Sequence, residues 1–259
     1  MSNIEEIKAV KSVTSFLMVG QSNMAGRGDI GEVEPIQNGL CHVLRMGVWQ
    51  PMNEPVNVDR GSRAEFLPGI SPATGFADAL ARYTGKHIGL IPCAYGGSGI
   101  AKWQPGGVLF DHAVFMARLA MRSSTLGGII WHQGENDCSH FDKEAYRVAF
   151  LSTMTAFRRE LGEEMPIIIG ELSERMGPRW EKIARGVPLM NQLLRELANE
   201  LPNCRIAKAA DLPCRVDGIH FSAASCRILG KRYFDAFIFE IISVVRKARI
   251  LLALSIFSE

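Results

Sequence analysis

Short, mostly apolar segments recur along this chain, and helical patterns separate most of them. Strands that are apolar throughout, rather than alternately apolar and polar, are typical of a parallel sheet with both faces buried. The segments that we predict as strands on this ground cover residues 15–19, 86–94, 128–131, 165–172 and 204–209.

Helical patterns connect these strands. Repetition of strand, helix and strand implies right-handed crossovers, and therefore a three-layer α/β/α sandwich with a central parallel sheet. The length of 259 residues fits one domain, and because no repeat or linker divides the chain we predict a single domain over residues 1–259. The predicted helices cover residues 74–83, 142–161, 188–201 and a final segment that begins near Ala223 with Ser222 as its cap.

One long segment, residues 26–72, fits neither pattern. It contains many Gly and Pro residues and is longer than most connections in a compact domain. We therefore predict irregular structure there, with a role as a lid or a substrate-binding loop. Its Arg27, Arg60 and Arg63 could bind an acidic ligand, although solvated surface charges are the more ordinary interpretation.

Charge and hydropathy patterns argue against two classes of partner. The formal net charge is only +2, and the Lys and Arg residues are dispersed, so we predict no binding to nucleic acid. No uninterrupted apolar run reaches about 18 residues, so we predict no membrane partner. Charges interrupt the apolar C-terminal stretch over residues 234–257, which we predict to be a packed amphipathic helix; a helix on a membrane surface is the alternative. Residues 1–10 contain Glu5 and Glu6 and lack the apolar core of a secretory signal, so we predict a cytoplasmic location.

The cysteines do not indicate a disulfide framework or a metal site. None of the six forms a Cys-x-x-Cys pair, and reduced core thiols are the expected state. The grouping of His132, Cys138 and His140 could be read as metal ligands, but it lacks a fourth ligand at a usual spacing. We therefore predict neither a metal nor a cofactor.

Polar, glycine-rich patches follow four of the predicted strands. In parallel α/β sheets, ligands bind beyond the carboxyl ends of the strands, so these patches should meet at one edge of the sheet. The residues concerned include Gln21, Ser22 and Asn23 after the first strand, Gly96 and Gly97 after the second, Gln133, Glu135 and Asn136 after the third, and Asp217 and His220 past the fifth.

Acyl transfer chemistry needs a nucleophile, a base, a group that orients the base, and donors for an oxyanion. Ser22 could be the nucleophile, although a serine that follows a strand and opens a helix can also be a plain cap. His220 is the best candidate base, because Asp217 precedes it by three residues and can reach its ring; an incidental pair on a surface loop is the alternative. Gly218 supplies the backbone freedom for that turn.

Oxyanion donors are available on three of the patches. The backbone N–H groups of Ser22 and Gly97 and the side-chain amide of Gln133 would together form a three-donor hole. A simple turn is the alternative role of the glycines. Glu135 could support the histidine, or it could shape its own loop by accepting from backbone N–H groups; Asn136 is a further supporting candidate.

Taken together, the four motifs resemble the SGNH, or GDSL-like, hydrolase superfamily. The similarity is closest to its sialate O-acetylesterase-like branch, which includes carbohydrate esterase family 6 and plant-type relatives. The resemblance covers most of the chain, from about residue 14 to residue 237. The motifs that carry it are GQSNMAG at residues 20–26, PCAYGGS at 92–98, WHQGEND at 131–137 and DGIHF at 217–221.

The resemblance implies a flavodoxin-like fold and hydrolysis of acyl esters, chiefly acetyl groups on sugars, without a metal. The implied partner is a small-molecule or oligosaccharide ester. Transfer of the acyl group to an alcohol other than water, or a non-catalytic glycan-binding module on the same fold, remains an alternative. Residue by residue, the resemblance implies Ser22 as nucleophile, His220 and Asp217 as its partners, and Ser22, Gly97 and Gln133 as oxyanion donors.

One departure from the family pattern and one alternative assignment of the acid affect these roles. Many superfamily members place an Asn in the third motif as an oxyanion donor, whereas this chain offers Gln133 with Asn136 close by. Some relatives are argued to use the Glu of the third motif, here Glu135, in place of Asp217. We favour Gln133 and Asp217. Trp103, downstream of the second motif, could stack on a sugar ring or be an ordinary half-buried tryptophan.

Overall fold

Strand β1 (Val13–Gly20) has apolar side chains on both faces, because successive residues of a strand point in opposite directions. Leu17 and Val19 pack into one hydrophobic core, and Phe16 and Met18 pack into a second core on the other face. In the computed structural model, which describes residues 13–59 and 67–256, the sheet is therefore the middle layer of three. The predictions for residues 1–10, for Arg60 and for Arg63 lie outside these ranges.

Seven strands form one sheet in the order β3-β2-β4-β1-β5-β6-β7. Every neighbouring pair is parallel except β2 with β3, which are antiparallel. The predicted central parallel sheet is thereby confirmed. The strands after β1 are β2 (Cys41–Arg45), β3 (Val48–Pro51), β4 (Ile88–Pro92), β5 (Ser124–His132), β6 (Ile167–Gly170) and β7 (Cys204–Ala207).

Helices cover both faces of the sheet. One face carries α3 (Val108–Ala120), α5 (Lys143–Leu161) and α7 (Val187–Glu200), whose buried side chains share a core with Leu17 and Val19. The other face carries α2 (Pro72–Thr84) and α8 (Ala223–Ile256). The predicted three-layer α/β/α sandwich is confirmed. Three short helices, α1 (Ser22–Ala25), α4 (Glu135–Cys138) and α6 (Glu181–Ala184), lie in the connections.

Local chemistry sets where several helices begin. The Asp142 carboxylate accepts from the Ala145 N–H at 3.0 Å, and the predicted cap Ser222 accepts from the Ser225 N–H at 3.1 Å. Each of these side chains satisfies one of the backbone donors that the first turn of a helix leaves unpaired.

We predicted irregular structure over residues 26–72, and this prediction is wrong for part of the segment. It contains β2 and β3, which extend the sheet as an antiparallel hairpin at its edge. Both strands are short, and the turn between them places Met46 at φ 51°, a conformation that Met rarely adopts and that sequence therefore does not signal. Helix α3 was also missed, because Val108 and Phe115 are exposed and obscure its apolar face.

The order in which the chain adds strands to the sheet reverses at β1. Strands β2 to β4 lie on one side of β1, and β5 to β7 lie on the other. Such a switch point leaves a crevice beyond the carboxyl ends of the strands, which is where open α/β sheets bind their ligands. Within the described ranges, no helix is both long and apolar enough to cross a membrane.

Candidate active site

The first three motifs meet at the carboxyl end of β1. Gly20 pairs in register with His132, the Gln21 N–H donates to the His132 carbonyl at 2.9 Å, and the Tyr95 N–H donates to the Gly20 carbonyl at 2.9 Å. Gly20 has φ 124°, and a Cβ at this position would lie 2.0 Å from the His132 oxygen. Only glycine therefore allows β1 and β5 to approach so closely where the nucleophile candidate emerges.

A chain of two hydrogen bonds links Ser22, His220 and Asp217. The Ser22 Oγ lies 3.0 Å from the His220 Nε2, and the His220 Nδ1 lies 2.9 Å from the Asp217 Oδ2. A carboxylate can only accept here, so Nδ1 carries the hydrogen and Nε2 is left as the acceptor for the serine hydroxyl. This is the geometry that a serine nucleophile and its base require.

The loop that carries Asp217 and His220 is held in a tight turn. The Asp217 Oδ1 accepts from the backbone N–H groups of Ile219 and His220, each at 3.0 Å. Gly218 has φ 77°, and its carbonyl accepts from the Gly177 N–H at 2.8 Å. Burial alone raises the pKa of Asp217, but the hydrogen bonds from the His220 ring and from these backbone groups outweigh it and lower the pKa to about 2.

Two backbone donors stand free near Ser22. Among the residues that the structure describes, no acceptor is bonded to the N–H of Ser22 or to that of Gly97. The preceding N–H, that of Gly96, donates to the Asp59 Oδ2 at 2.7 Å, which fixes the second motif in place. Each of these two N–H groups is therefore available to an acceptor on a bound ligand.

Gln133 is fully buried and already bonded within the protein. Its Nε2 lies 3.1 Å from the Ser98 carbonyl, 2.5 Å from the Asp137 Oδ2 and 3.3 Å from the Gln21 Oε1. An amide nitrogen has two hydrogens, so a bond to an oxyanion requires the release of one of these contacts. Asn136 is exposed, and its Nδ2 donates to the Gly97 carbonyl at 2.8 Å.

Glu135 contacts Asn23 rather than His220. Its Oε1 accepts from the Asn23 Nδ2 at 2.6 Å and lies 3.4 Å from the His132 Nε2. Burial raises the pKa of Glu135, but the interactions with His132 and Asn23 outweigh it and lower the pKa. The Asp217 Oδ2, by contrast, contacts the His220 ring directly.

Three other candidates have structural rather than ligand-binding contacts. Trp103 is fully buried and its indole N–H donates to the Ser98 Oγ at 3.0 Å, so its ring cannot stack on a sugar. Arg27, read as a solvated charge, is instead only 2% exposed and pairs with Asp59 at 2.9 Å. Among the described residues, no group of three or more His, Cys, Asp or Glu side chains could hold a metal, so His132, Cys138 and His140 do not come together as ligands.

The cysteines are not candidates for the nucleophile. All six are free thiols, and five of them are buried. Burial raises the pKa of Cys41 and of Cys226 to about 12, so both stay protonated at neutral pH and lack the reactive thiolate form.

Sequence reasoning missed several residues that shape the site. Asp59 and Asn57 hold the second motif: Asn57 pairs with both backbone groups of Ala94, each at 3.1 Å. The Trp180 indole N–H donates to the Asp217 carbonyl at 2.7 Å. No spacing in the sequence links these residues to the motifs, because each contact spans 37 residues. A polar pair such as Asn57 and Asp59 in a Pro-rich segment reads equally well as a turn.

Comparisons with known proteins give a consistent result. The family model of carbohydrate esterases described as sialic acid-specific acetylesterases matches residues 12–239. A probable carbohydrate esterase from Arabidopsis thaliana is 26% identical over 247 residues, which cover 86% of this chain and 89% of that protein. The X-ray structure of an Arabidopsis thaliana protein superposes with a TM-score of 0.74 at 24% identity, covering 88% of this chain and 98% of that one.

Two further solved structures share the fold. NanS superposes with a TM-score of 0.69 at 17% identity, covering 88% of this chain and 97% of that one. Est24, a carbohydrate acetylesterase from Sinorhizobium meliloti, superposes with a TM-score of 0.51 at 16% identity, covering 86% and 97% of the two chains. The family match spans most of the chain and includes all four motifs. The chain therefore belongs to the carbohydrate esterase family described as sialic acid-specific acetylesterases.

Proposed function

We propose that this protein is a serine esterase that removes acetyl groups from a carbohydrate ester. Ser22 is the nucleophile, His220 the base and Asp217 the residue that orients the base. The observation that carries the proposal is the unbroken chain of contacts from the Ser22 Oγ to His220 and from His220 to Asp217, at 3.0 and 2.9 Å. Family membership supports the ester chemistry.

In the first half of the reaction, the Ser22 Oγ attacks the carbonyl carbon of the ester while its proton passes to the His220 Nε2. The carbonyl π bond becomes an oxyanion, and Asp217 stabilises the imidazolium that has formed. The intermediate then collapses, the bond between the carbonyl carbon and the sugar oxygen breaks, and His220 donates its proton to that oxygen, which leaves as a hydroxyl group. An acetyl group remains on Ser22.

In the second half, His220 takes a proton from a water molecule, whose oxygen attacks the acetyl carbon. The bond to the Ser22 Oγ breaks, acetate leaves, and the serine recovers its proton from His220. An alcohol in place of this water would give acyl transfer by the same steps.

The free backbone N–H groups of Ser22 and Gly97 are the proposed donors to the oxyanion. We keep Gln133 as the third donor, with the condition that its Nε2 releases either Ser98 or Asp137 when substrate binds. Each such donor is worth roughly a hundredfold to a thousandfold in rate.

Tyr95, an aromatic residue of the second motif, is a candidate contact for the carbohydrate. Tyr95 directly precedes Gly96, is 39% exposed and lines a cleft of about 440 Å³ with His112 and Val58. An exposed aromatic side chain can pack against a sugar ring. Trp103 cannot do so because it is fully buried. Tyr95 is therefore the proposed contact for the sugar.

Hydrolysis of p-nitrophenyl acetate by wild type, Ser22→Ala and Ser15→Ala tests the central role. Ser15 is a buried serine at the opposite end of β1, so its variant is a matched control. We expect loss of activity in Ser22→Ala only. Full activity in Ser22→Ala would remove the proposed nucleophile. A panel of acetylated sugars, including acetylated sialic acid and acetylxylan, then identifies the substrate.

A further inference from the structure

Asn23 touches the loops of two other motifs from its position next to Ser22. Its Nδ2 donates to the Glu135 Oε1 at 2.6 Å and to the Ile219 carbonyl at 3.2 Å, and its Oδ1 accepts from the Phe221 N–H at 3.0 Å. We propose that Asn23 is a positioning residue that sets the distance between Ser22 and His220. This inference rests on the proposed function, because it assumes that these two residues react together.

The two backbone contacts of Asn23 hold both peptide groups that flank His220. The Ile219 carbonyl belongs to the peptide group before His220, and the Phe221 N–H belongs to the peptide group after it. Because the helix that begins at Ser22 also carries Asn23, one side chain ties the backbone of the base to the backbone of the nucleophile. The 3.0 Å contact between the Ser22 Oγ and the His220 Nε2 depends on this tie.

Glu135 fixes which way the Asn23 amide faces. A carboxylate and a carbonyl only accept, so the Nδ2 must face Glu135 and Ile219, and the Oδ1 must face the Phe221 N–H. Glu135 is buried beside His132, so its interaction with Asn23 is shielded from solvent. The acidic residue of the third motif therefore acts on His220 through Asn23 and not by direct contact.

The expected effect of losing this tie is on turnover. A misplacement of about 1 Å between reacting groups costs on the order of a hundredfold in rate. We expect Asn23→Ala to lower kcat by about tenfold to a hundredfold, and to leave KM within about threefold because no substrate contact is removed.

Asn191 provides a matched control. It is also a fully buried asparagine that holds the peptide groups on both sides of one residue, since its Oδ1 accepts from the Leu172 N–H at 2.8 Å and its Nδ2 donates to the Leu172 carbonyl at 3.0 Å. We expect Asn191→Ala to lower Tm while kcat stays within about twofold of wild type. Equal kcat for Asn23→Ala and Asn191→Ala, each assayed at the same interval below its own Tm, would overturn the inference.

An isosteric variant covers the case in which Asn23→Ala does not fold. Asn23→Asp keeps an acceptor for the Phe221 N–H but loses both donated bonds and places a second carboxylate against Glu135. Adding Glu135→Gln supplies a donor from the opposite side, so the double variant should recover at least about fivefold in kcat over Asn23→Asp. Additive losses in the double variant would contradict the positioning role.

Ser22→Ala, assayed in parallel, distinguishes failure of the proposed function from failure of the positioning role alone. Activity in Ser22→Ala defeats the proposed function as a whole. An inactive Ser22→Ala together with normal kcat in Asn23→Ala defeats the positioning role alone.

Discussion

Asp217→Asn is expected to remove most of the activity because it forces the wrong tautomer on His220. The Oδ1 of residue 217 accepts two backbone N–H groups, those of Ile219 and His220. An asparagine keeps its oxygen there, since its amide nitrogen cannot accept from them. Its Nδ2 then faces the His220 Nδ1, which must lose its hydrogen to accept. The His220 Nε2 gains that hydrogen and can no longer take the proton of Ser22.

The size of this effect follows from the same geometry. The corresponding change in a Ser-His-Asp triad lowers kcat by about 10⁴-fold, or about 5 kcal/mol of transition-state stabilisation. Glu135→Gln retains an oxygen that can accept from Asn23, so we expect less than about a tenfold loss from it.

Steady-state hydrolysis of p-nitrophenyl acetate by the two variants measures the difference. Circular dichroism and Tm of both proteins show whether the fold is retained. If Glu135→Gln lost more kcat than Asp217→Asn, the tautomer argument would be refuted, and the acid would have to be reassigned to the third motif.

Three further predictions concern the donors, acid stability and a buried ion pair. Gln133→Ala should lower kcat more than Asn136→Ala, because it removes both a candidate oxyanion donor and the bond to Asp137. A larger loss in Asn136→Ala, with kcat corrected for the folded fraction of each variant, would instead favour Asn136 as the third oxyanion donor. Asp217 has a folded-state pKa of about 2, below its ordinary value of 3.8, so its contribution to stability is full above about pH 4 and is lost as pH falls through 2. Urea unfolding should therefore show a free energy of unfolding that depends less on pH between 4 and 2 in Asp217→Asn than in wild type. An equal dependence in the two proteins would contradict the lowered pKa. Arg27→Met leaves the negative charge of the buried Asp59 without its cation and should lower the free energy of unfolding by about 3–5 kcal/mol. Arg82→Met, which breaks an exposed pair with Asp78, should lower it by less than about 1 kcal/mol. Similar losses in the two variants would refute this prediction.

Much of the fold could be predicted from the sequence because its information is local. A strand buried on both faces must be apolar along its whole length, and this rule identified β1, β4, β5, β6 and β7 to within a few residues at most ends. The hairpin of β2 and β3 escaped the rule. Its strands lie at the edge of the sheet, and β3 is mostly exposed, so neither needs a long apolar run.

In the site, too, the features that depend on local sequence could be predicted and the long-range contacts could not. The motifs could be brought to one edge of the sheet because each follows a parallel strand, and the contacts of Ser22 and His220 match that expectation. What could not be predicted is how polar side chains pair across the fold. The bonds of Gln133 to Ser98 and of Asn23 to Glu135 join residues 35 and 112 positions apart, and no local pattern encodes them. Family resemblance supplies roles for single positions but not these partners.

Covalent trapping of the nucleophile is the most direct test of Ser22 as the reactive residue. Wild type treated with an organophosphonate ester, digested and analysed by mass spectrometry should carry the label on Ser22. We expect one label per chain, with Ser22→Ala unlabelled and His220→Ala labelled far more slowly. Stoichiometric labelling of another residue, or labelling of Ser22→Ala at the wild-type rate, would contradict it.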